Sequence, residues 1–244
     1  GAEDPHPMRK KLLKCIEQDK RSLPMECTIR AYRKTDLPAV RSIFGDDEFA
    51  RPRLLRTYPR LAEYLADEVS CYFTRYEPES ICVAEESGEV VGVLLGAINA
   101  HRYEEYHQRY IQPHLVRRCL SGAYGIPVWM IAMLRTHWAG RNLTPPTVDH
   151  DQYPAQLHIG IQPAARRKGI GTGLMDHFAR YLREKNVAGY HLYVSSFHPL
   201  GLAFYRKLGL DDLGKFNWRF HDGYDWLDVT EYIFGMKIIS RPGR

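Results

Sequence analysis

Between Gln162 and Leu182 the chain reads QPAARRKGIGTGLMDHFARYL, which sets Arg166, Arg167 and Lys168 directly ahead of Gly169, Gly171 and Gly173 and of an apolar helical pattern. Glycines at the mouth of a helix allow close backbone approach, and the N–H groups of a first turn have no intrahelical carbonyl to meet. With the helix dipole and three cations beside them, those groups suit an anion, and a phosphate is the natural one. The two commonest phosphate loops are excluded. No G-x-x-x-x-G-K-[ST] occurs, and GIGTG lacks the G-x-G-x-x-G spacing. The plain alternative is a glycine turn flanked by solvated basic residues.

The elements around this stretch must position it. LHIGI (Leu157 to Ile161) reads as a strand leading into the loop, and Ile170, Leu174, Phe178 and Leu182 recur at four-residue intervals as the buried face of the helix. Asn186 and Gly189 close that helix region, and YHLYV (Tyr190 to Val194) is the next strand, giving a β-α-β unit with parallel strands. A short helix follows, from Pro199 to Gly209. The chain closes with an aromatic-rich hairpin whose last strand is predicted over Tyr232 to Ile238.

Upstream, Cys27 to Tyr32 alternates as a strand, and Asp36 is predicted to cap a helix carrying Leu37, Val40, Ile43 and Phe44. A second helical region covers Leu54 to Phe73. ICVAEESGEVVGVLLGAI reads as a hairpin turning at Glu86, Ser87 and Gly88. An insert at about 101–152 breaks this rhythm with helical patches in EEYHQRYIQPHLVRR and VWMIAMLRTHW. Its histidines, His101, His107, His114, His137 and His150, match no metal motif, so they read as solvated or hydrogen-bonded core residues, and no metal is expected. An insert beside a site shapes it more often than it performs the chemistry.

Composition narrows the function classes. The 244 residues are 44% hydrophobic and 26% charged, ordinary for a globular protein with a real core. Cys15, Cys27, Cys71, Cys82 and Cys119 are odd in number and form no C-x-x-C pair, which fits a reducing, cytoplasmic compartment. No apolar run is long enough for a membrane span. A net charge of +5 without a long basic stripe argues against nucleic acid as a partner, although Arg9, Lys10, Lys11 and Lys14 cluster. Residues 1–24 read as a vector remnant, GAEDPHP before Met8, followed by a helical appendage that ends at SLP, with Met25 a second plausible start. Residues 25–244 form one domain containing the insert.

Arg166-Arg167-Lys168-Gly169-Ile170-Gly171 matches the R/Q-x-x-G-x-G/A signature, and the chain resembles the GNAT acetyltransferase superfamily. The resemblance also covers the element order from Cys27 to about Ile238, with ICVAEESGEVVGVLLG as the central hairpin and LAFYRKLGL as a second hallmark. It implies an α/β (α+β) GNAT fold: a central mixed, mostly antiparallel twisted sheet with a splayed parallel strand pair and helices on both faces. It implies acetyl-CoA as cofactor, its pyrophosphate cradled by Arg166 to Thr172 and its pantetheine arm paired with backbone groups of Ile159, Gly160 and Ile161. Ligands of such sheets sit beyond the carboxyl ends of the strands.

The family's tyrosine near the CoA sulfur, a general acid, falls on Tyr205. A phenol with a pKa near 10 can protonate a thiolate whose thiol has a pKa near 8.5 without a large penalty. Phe204 and Leu208 are expected to supply the helix's apolar side, leaving Tyr205 for chemistry, and a backbone N–H near Ile161 to polarise the carbonyl. The chain departs from the family at His198 and Gly201, where asparagine and alanine are frequent. His198 is expected to hydrogen-bond the pantetheine or to cap the helix. No general base announces itself among His158, His191, Tyr193 and Asp225. By parity His158 faces away from Leu157, Ile159 and Ile161.

YPAQLHIGIQP with FYRKLG further resembles the acetyltransferase-like C-terminal domain of O-GlcNAcases and its bacterial relatives, in which an acidic residue tends to follow LHI where Gly160 stands here. The expected activity is acetyl transfer to a primary amine by direct transfer in a ternary complex. The acceptor would be a small molecule or a peptide, in a pocket shaped by the insert and the Trp218 to Trp226 region. Tyr103, Glu104, Glu105, Tyr106, Asp222, Tyr224 and Asp225 are the residue types that would receive a cationic amine. The alternative is a catalytically degenerate module that binds acetyl-CoA or a protein partner, favoured by the missing base and by His198.

Overall fold

The computed structural model describes residues 27–45, 59–125, 136, 145–221 and 225–238. The N-terminal appendage, the first residues of the second helical region, most of the second helical patch of the insert, and Asp222 and Tyr224 lie outside the described residues.

Seven strands form one sheet. Strand β1 (Cys27–Ala31) pairs with β2 (Cys82–Glu86), and β2 turns into β3 (Glu89–Ala97) through Ser87 and Gly88. Both turn residues have positive φ, 53° and 84°, the two-residue hairpin turn whose twist matches its strands. β3 is buried from Val90 to Ala97 and shows no polar alternation, because helices cover both sheet faces at this strand. β4 (Ala155–Ile161) lies antiparallel to β3, and β5 (Gly189–Ser195) follows it in parallel. β6 (Asp211–His221) and β7 (Trp226–Lys237) make the last hairpin, with β7 beside β5, so the order is β1-β2-β3-β4-β5-β7-β6.

The parallel pair is short. β4 and β5 pair only at Ala155 with Tyr190 and Gln156 with His191, and past that point the β5-facing edge of β4 has no strand partner. This is the expected splay.

One sheet face packs on α5 (Ile170–Glu184) and α6 (Pro199–Lys207), where Ile170, Leu174, Phe178 and Leu182 are all at most 1% exposed and meet Tyr190, Leu192 and Phe234. Gly96 lies directly beneath the Phe178 ring, so a side chain there would collide with it. The other face carries α1 (Leu37–Gly45), α2 (Leu61–Tyr76) and two helices of the insert, α3 (Ala100–Tyr106) and α4 (Gln112–Leu120), joined by a π-turn at His107–Ile111.

Two buried carboxylates fasten this second layer. Asp67 on α2 accepts from the Tyr124 hydroxyl at 2.7 Å, pairs with Arg41 of α1, and has Arg118 of α4 at 3.5 Å. Glu77, fully buried, accepts from Ile98 N–H and the Tyr72 hydroxyl at 2.8 Å each and pairs with Arg102 of α3 at 2.9 Å.

Three local expectations change. Asp36 does not cap the long helix; it closes a 3-10 turn at Lys34–Asp36, accepting from Arg33 N–H at 2.7 Å and pairing with Arg30. The Arg30 guanidinium holds the Asp36 carboxyl below the usual carboxylate range. The second helix runs on to Tyr76 rather than Phe73. β7 starts at Trp226, six residues before the predicted Tyr232, because cross-strand pairing with β6 carries it through the polar residues Asp228, Thr230 and Glu231.

Candidate functional site

The loop from Gln162 to Gly169 leaves β4 at the splay. Its turn is made by two left-handed residues, Arg167 at φ 63° and Gly169 at φ 81°, the latter standing at the N-cap of α5. Alternating backbone handedness of this kind turns successive N–H groups toward one concavity. Gly173 is the first residue whose N–H is taken within the helix, by Gly169 O at 3.0 Å. The N–H groups of Gly169, Ile170, Gly171 and Thr172 therefore have no intrahelical carbonyl to meet.

The three basic residues are not equivalent. Arg166 folds back on β4, its Nε donating to Ile161 O at 3.0 Å. Lys168 reaches the end of β2, where its Nζ lies 3.0 Å from Glu86 Oε2. Lys168 is 41% exposed, and an ion pair at such a surface contributes at most about 1 kcal/mol, so a phosphate can compete for it.

Gly171 does more than admit a ligand. A Cβ there would lie 3.0 Å from Phe204 Cζ and 3.3 Å from Ile161 Cδ1, so its bare Cα lets α6 and β4 close on the start of α5. Gly160 is filled in the same manner from the other face: a Cβ would stand 2.5 Å from Ile43 Cγ2 and 3.3 Å from a Phe44 ring carbon. Ile159 and Ile161 pack on the α5 side, opposite to His158, as their parity requires.

Tyr205 reverses one expectation. It is the buried residue of α6, 6% exposed, whereas Phe204 and Leu208 are only partly covered. A helix resting on a twisted sheet buries a single row, and Tyr205 occupies it, between the rings of Phe204 at 5.2 Å and Phe234 at 6.1 Å. Burial pushes the phenol well above its ordinary pKa, so it is protonated at neutral pH but yields its proton less readily than a free phenol. His198 stands at the N-cap of α6, where its side chain makes no capping hydrogen bond; its carbonyl accepts from Leu202 N–H at 3.0 Å. At Gly201 a Cβ would meet Val194 at 3.4 Å, ordinary contact, so the glycine is not forced by space.

On the opposite face of the splay the insert brings His101, His107 and His150 toward the sheet, which their spacing did not reveal. The His150 ring lies 4.2 Å from His101 and 5.3 Å from His191, and His191 Nδ1 is 2.8 Å from Tyr153 O. Phe73 and Tyr103 flank the His158 ring at 5.7 and 6.2 Å. Burial first, then the neighbouring His107, holds His158 down to about 4; burial, outweighing the Tyr153 carbonyl, holds His191 to about 4. Both are neutral and weakly basic near pH 7. Tyr103 stacks on Phe73 at 5.4 Å and is wall rather than receptor, with Tyr106 against Tyr76 beside it. Among the described residues no group of three or more His, Cys, Asp or Glu side chains has the geometry to hold a metal ion.

The sequence reading passed over Glu231. Its signal is the register Val229, Glu231, Ile233, a carboxylate between two apolar residues on one strand face, which shows only when β7 is extended past Tyr232.

Residues 137–209 match the family model described as the acetyltransferase (GNAT) domain, a range that takes in β4, the loop, α5, β5 and α6. Among solved structures, SsHAT superposes with a TM-score of 0.63 at 23% identity, covering 88% of this chain and all of that one. An N-acetyltransferase from Staphylococcus aureus Mu50 gives a TM-score of 0.51 at 16% identity, over 87% of this chain and 99% of that one. The ribosomal-protein-alanine N-acetyltransferase from Brucella melitensis gives 0.51 at 17% identity, over 86% and 99%. At these identities the likeness establishes the fold.

Proposed function

We propose, from the match of residues 137–209 to the acetyltransferase (GNAT) domain model, that the chain is an acetyl-CoA-dependent N-acetyltransferase acting on a primary amine by direct transfer in a ternary complex. GNAT domains use acetyl-CoA. The observation that carries the reading is the turn at Arg167 and Gly169, which sets the first-turn N–H groups of α5 at the open end of the β4–β5 splay.

The residues present fit that cofactor. N–H groups of Gly169 to Thr172, with Arg166, Arg167 and Lys168, would hold the diphosphate, and the unpaired edge of β4 at Ile159, Gly160 and Ile161 would hold the amide-bearing arm. His198, at the mouth between β5 and α6, would line the same arm. When bound, the cofactor supplies an acetyl group activated as a thioester. Exchange of amine for thiolate then forms a C–N bond and breaks the C–S bond. Tyr205 supplies the proton for the departing sulfur, its burial keeping the phenol protonated until that step.

The acceptor, a small-molecule or peptide amine, would approach from the face bearing α2, α3 and the Trp218 to Trp226 hairpin. Within the superfamily, YPAQLHIGIQP and FYRKLG favour a place beside the acetyltransferase-like domain of O-GlcNAcases and its bacterial relatives. Among the described residues Cys27, Cys71, Cys82 and Cys119 are free thiols, which supports work in a reducing compartment such as the cytoplasm. Among the described residues no helix is long and apolar enough to cross a membrane.

Calorimetric titration of acetyl-CoA, followed by a primary-amine turnover screen, tests the reading. Tyr205→Phe should leave acetyl-CoA affinity within about threefold and lower kcat by about 10²-fold, the usual size of a general-acid contribution. Unchanged kcat would remove Tyr205 from the mechanism. Tight cofactor binding with no amine acetylated would favour the second reading, a binding module without turnover. That reading draws on the low basicity of His158 and His191.

A further inference from the structure

Glu231 lies on β7 opposite Ser195 of β5 and Phe216 of β6, at the end of β5 where β4 has already separated. Strand pairing puts it on the face shared with Tyr193, His191 and His158, away from α5, α6 and Tyr205. Along its own strand Val229 and Ile233 are at most 1% exposed. Tyr193 is its diagonal neighbour on β5, 41% exposed, and Trp218 its diagonal neighbour on β6, the indole N–H donating to the carboxylate.

Among the described residues the charged groups around it are few. Glu104 of α3 acts on the same Tyr193 phenol as Glu231 does. The basic residues of β6 turn the other way: Lys215 pairs opposite Tyr232, and Arg219 with Asp228 at 3.2 Å, both on the far face. Among the described residues Glu231 has no ion pair. A half-buried carboxylate on an apolar face without a cation destabilises the fold, and such groups concentrate at functional sites.

We propose, resting on the acetyltransferase reading, that Glu231 is the proton acceptor for the incoming amine, with Tyr193 and Glu104 as the aromatic and acidic approach for a cationic acceptor. The proton passes from R–NH3+ to the Glu231 carboxylate. The N–H bonding pair stays on nitrogen as the lone pair that attacks the thioester carbon; as the C–S bond breaks, its electrons leave on sulfur, which takes the Tyr205 proton. The adduct nitrogen then sheds its second proton to solvent, solvent returns one proton to Tyr205, and the Glu231 carboxyl releases its own, so that one proton is released overall.

Burial, partly offset by the Trp218 N–H, pushes the Glu231 carboxyl up to about 7, so it is partly ionised at neutral pH and basic enough to take a proton. Its competitors are worse placed. His158 and His191 are held to about 4, and burial raises the Tyr193 phenol.

Three measurements on the wild type and Glu231→Gln test this: acetyl-CoA affinity by calorimetry, kcat/KM against pH with tyramine, glucosamine and a lysine peptide, and carbon NMR titration of labelled Glu231 in the cofactor complex. The variant should bind acetyl-CoA within about threefold of wild type and lose about 10²-fold or more in kcat/KM at pH 7. Its deficit should shrink as pH rises, because free amine then no longer needs the base. The wild-type rate should rise with pH through one ionisation near 7, at which the labelled carbon also titrates.

A variant with wild-type kcat/KM and pH profile, or a carboxyl titrating in the ordinary carboxylate range, overturns the assignment and leaves the acetyltransferase reading standing. A wild type that binds no acetyl-CoA overturns that reading itself. One that binds it but acetylates none of the three amines overturns the assignment and favours the binding module.

Discussion

Gly171 separates space from charge at the proposed phosphate loop. Its Cβ position lies 3.0 Å from Phe204 and 3.3 Å from Ile161, so Gly171→Ala asks a ring at the edge of α6 to yield by a few tenths of an ångström. Forced packing of one added methyl costs about 1 kcal/mol here, at the low end for overpacked cores, because Phe204 is only partly buried. Gly171→Asp adds a carboxylate among the N–H groups proposed to hold a diphosphate. At about 6 Å from one phosphate charge and an effective dielectric near 20, repulsion is roughly 3 kcal/mol, or about 10²-fold in Kd.

Calorimetric titration of acetyl-CoA into all three proteins is the assay, with circular dichroism and melting temperature as the check on folding. The alanine variant should bind within about fivefold of wild type and the aspartate variant at least about 10²-fold more weakly. Raised salt should narrow the gap, since part of the penalty is screened. Equal affinity of aspartate and alanine variants would refute the placement of the anion at the first turn of α5.

Further outcomes concern the layer that carries the insert. Glu77→Ala leaves Ile98 N–H and the Tyr72 hydroxyl without their acceptor and Arg102 unpaired. Removing one partner of a buried pair costs about 3–5 kcal/mol, and at roughly 2–4 °C per kcal/mol in a chain of this size the melting temperature should fall by about 6–20 °C; a fall under about 2 °C would show that water replaces the carboxylate. For Asp67, burial pushes the carboxyl up, but the Tyr124 hydroxyl, Arg41 and Arg118 together outweigh it and hold it below its ordinary 3.8. Its stabilisation is therefore complete above about pH 4 and is lost as pH falls through the lower folded value, where the unfolded state binds the extra proton. Asp67→Asn should destabilise at neutral pH and flatten the acid limb of the urea-denaturation profile, and an acid limb parallel to wild type would reject the account.

Much was legible without a structure. The Arg166 to Gly171 spacing, the Ser87-Gly88 turn and the four-residue rhythm of Ile170, Leu174, Phe178 and Leu182 are local signals, each set by a backbone geometry that a few adjacent residues satisfy. They determined the parallel β-α-β unit, the glycine turn at the mouth of its helix and the buried face of that helix. The tertiary structure decided what depends on which elements meet. It put Tyr205 rather than Phe204 on the buried row of α6, because that row is selected by the sheet beneath it. It also turned the glycines at 160 and 171 into seats for Ile43 and Phe204, residues far away in the chain. His150 and His107 of the insert reached His191 and His158 of the sheet only through the docking of the insert. Glu231 became a half-buried carboxylate only because β6 extends β7 past its polar residues, and desolvation, which sets its basicity, is a property of the surrounding elements and not of its own strand.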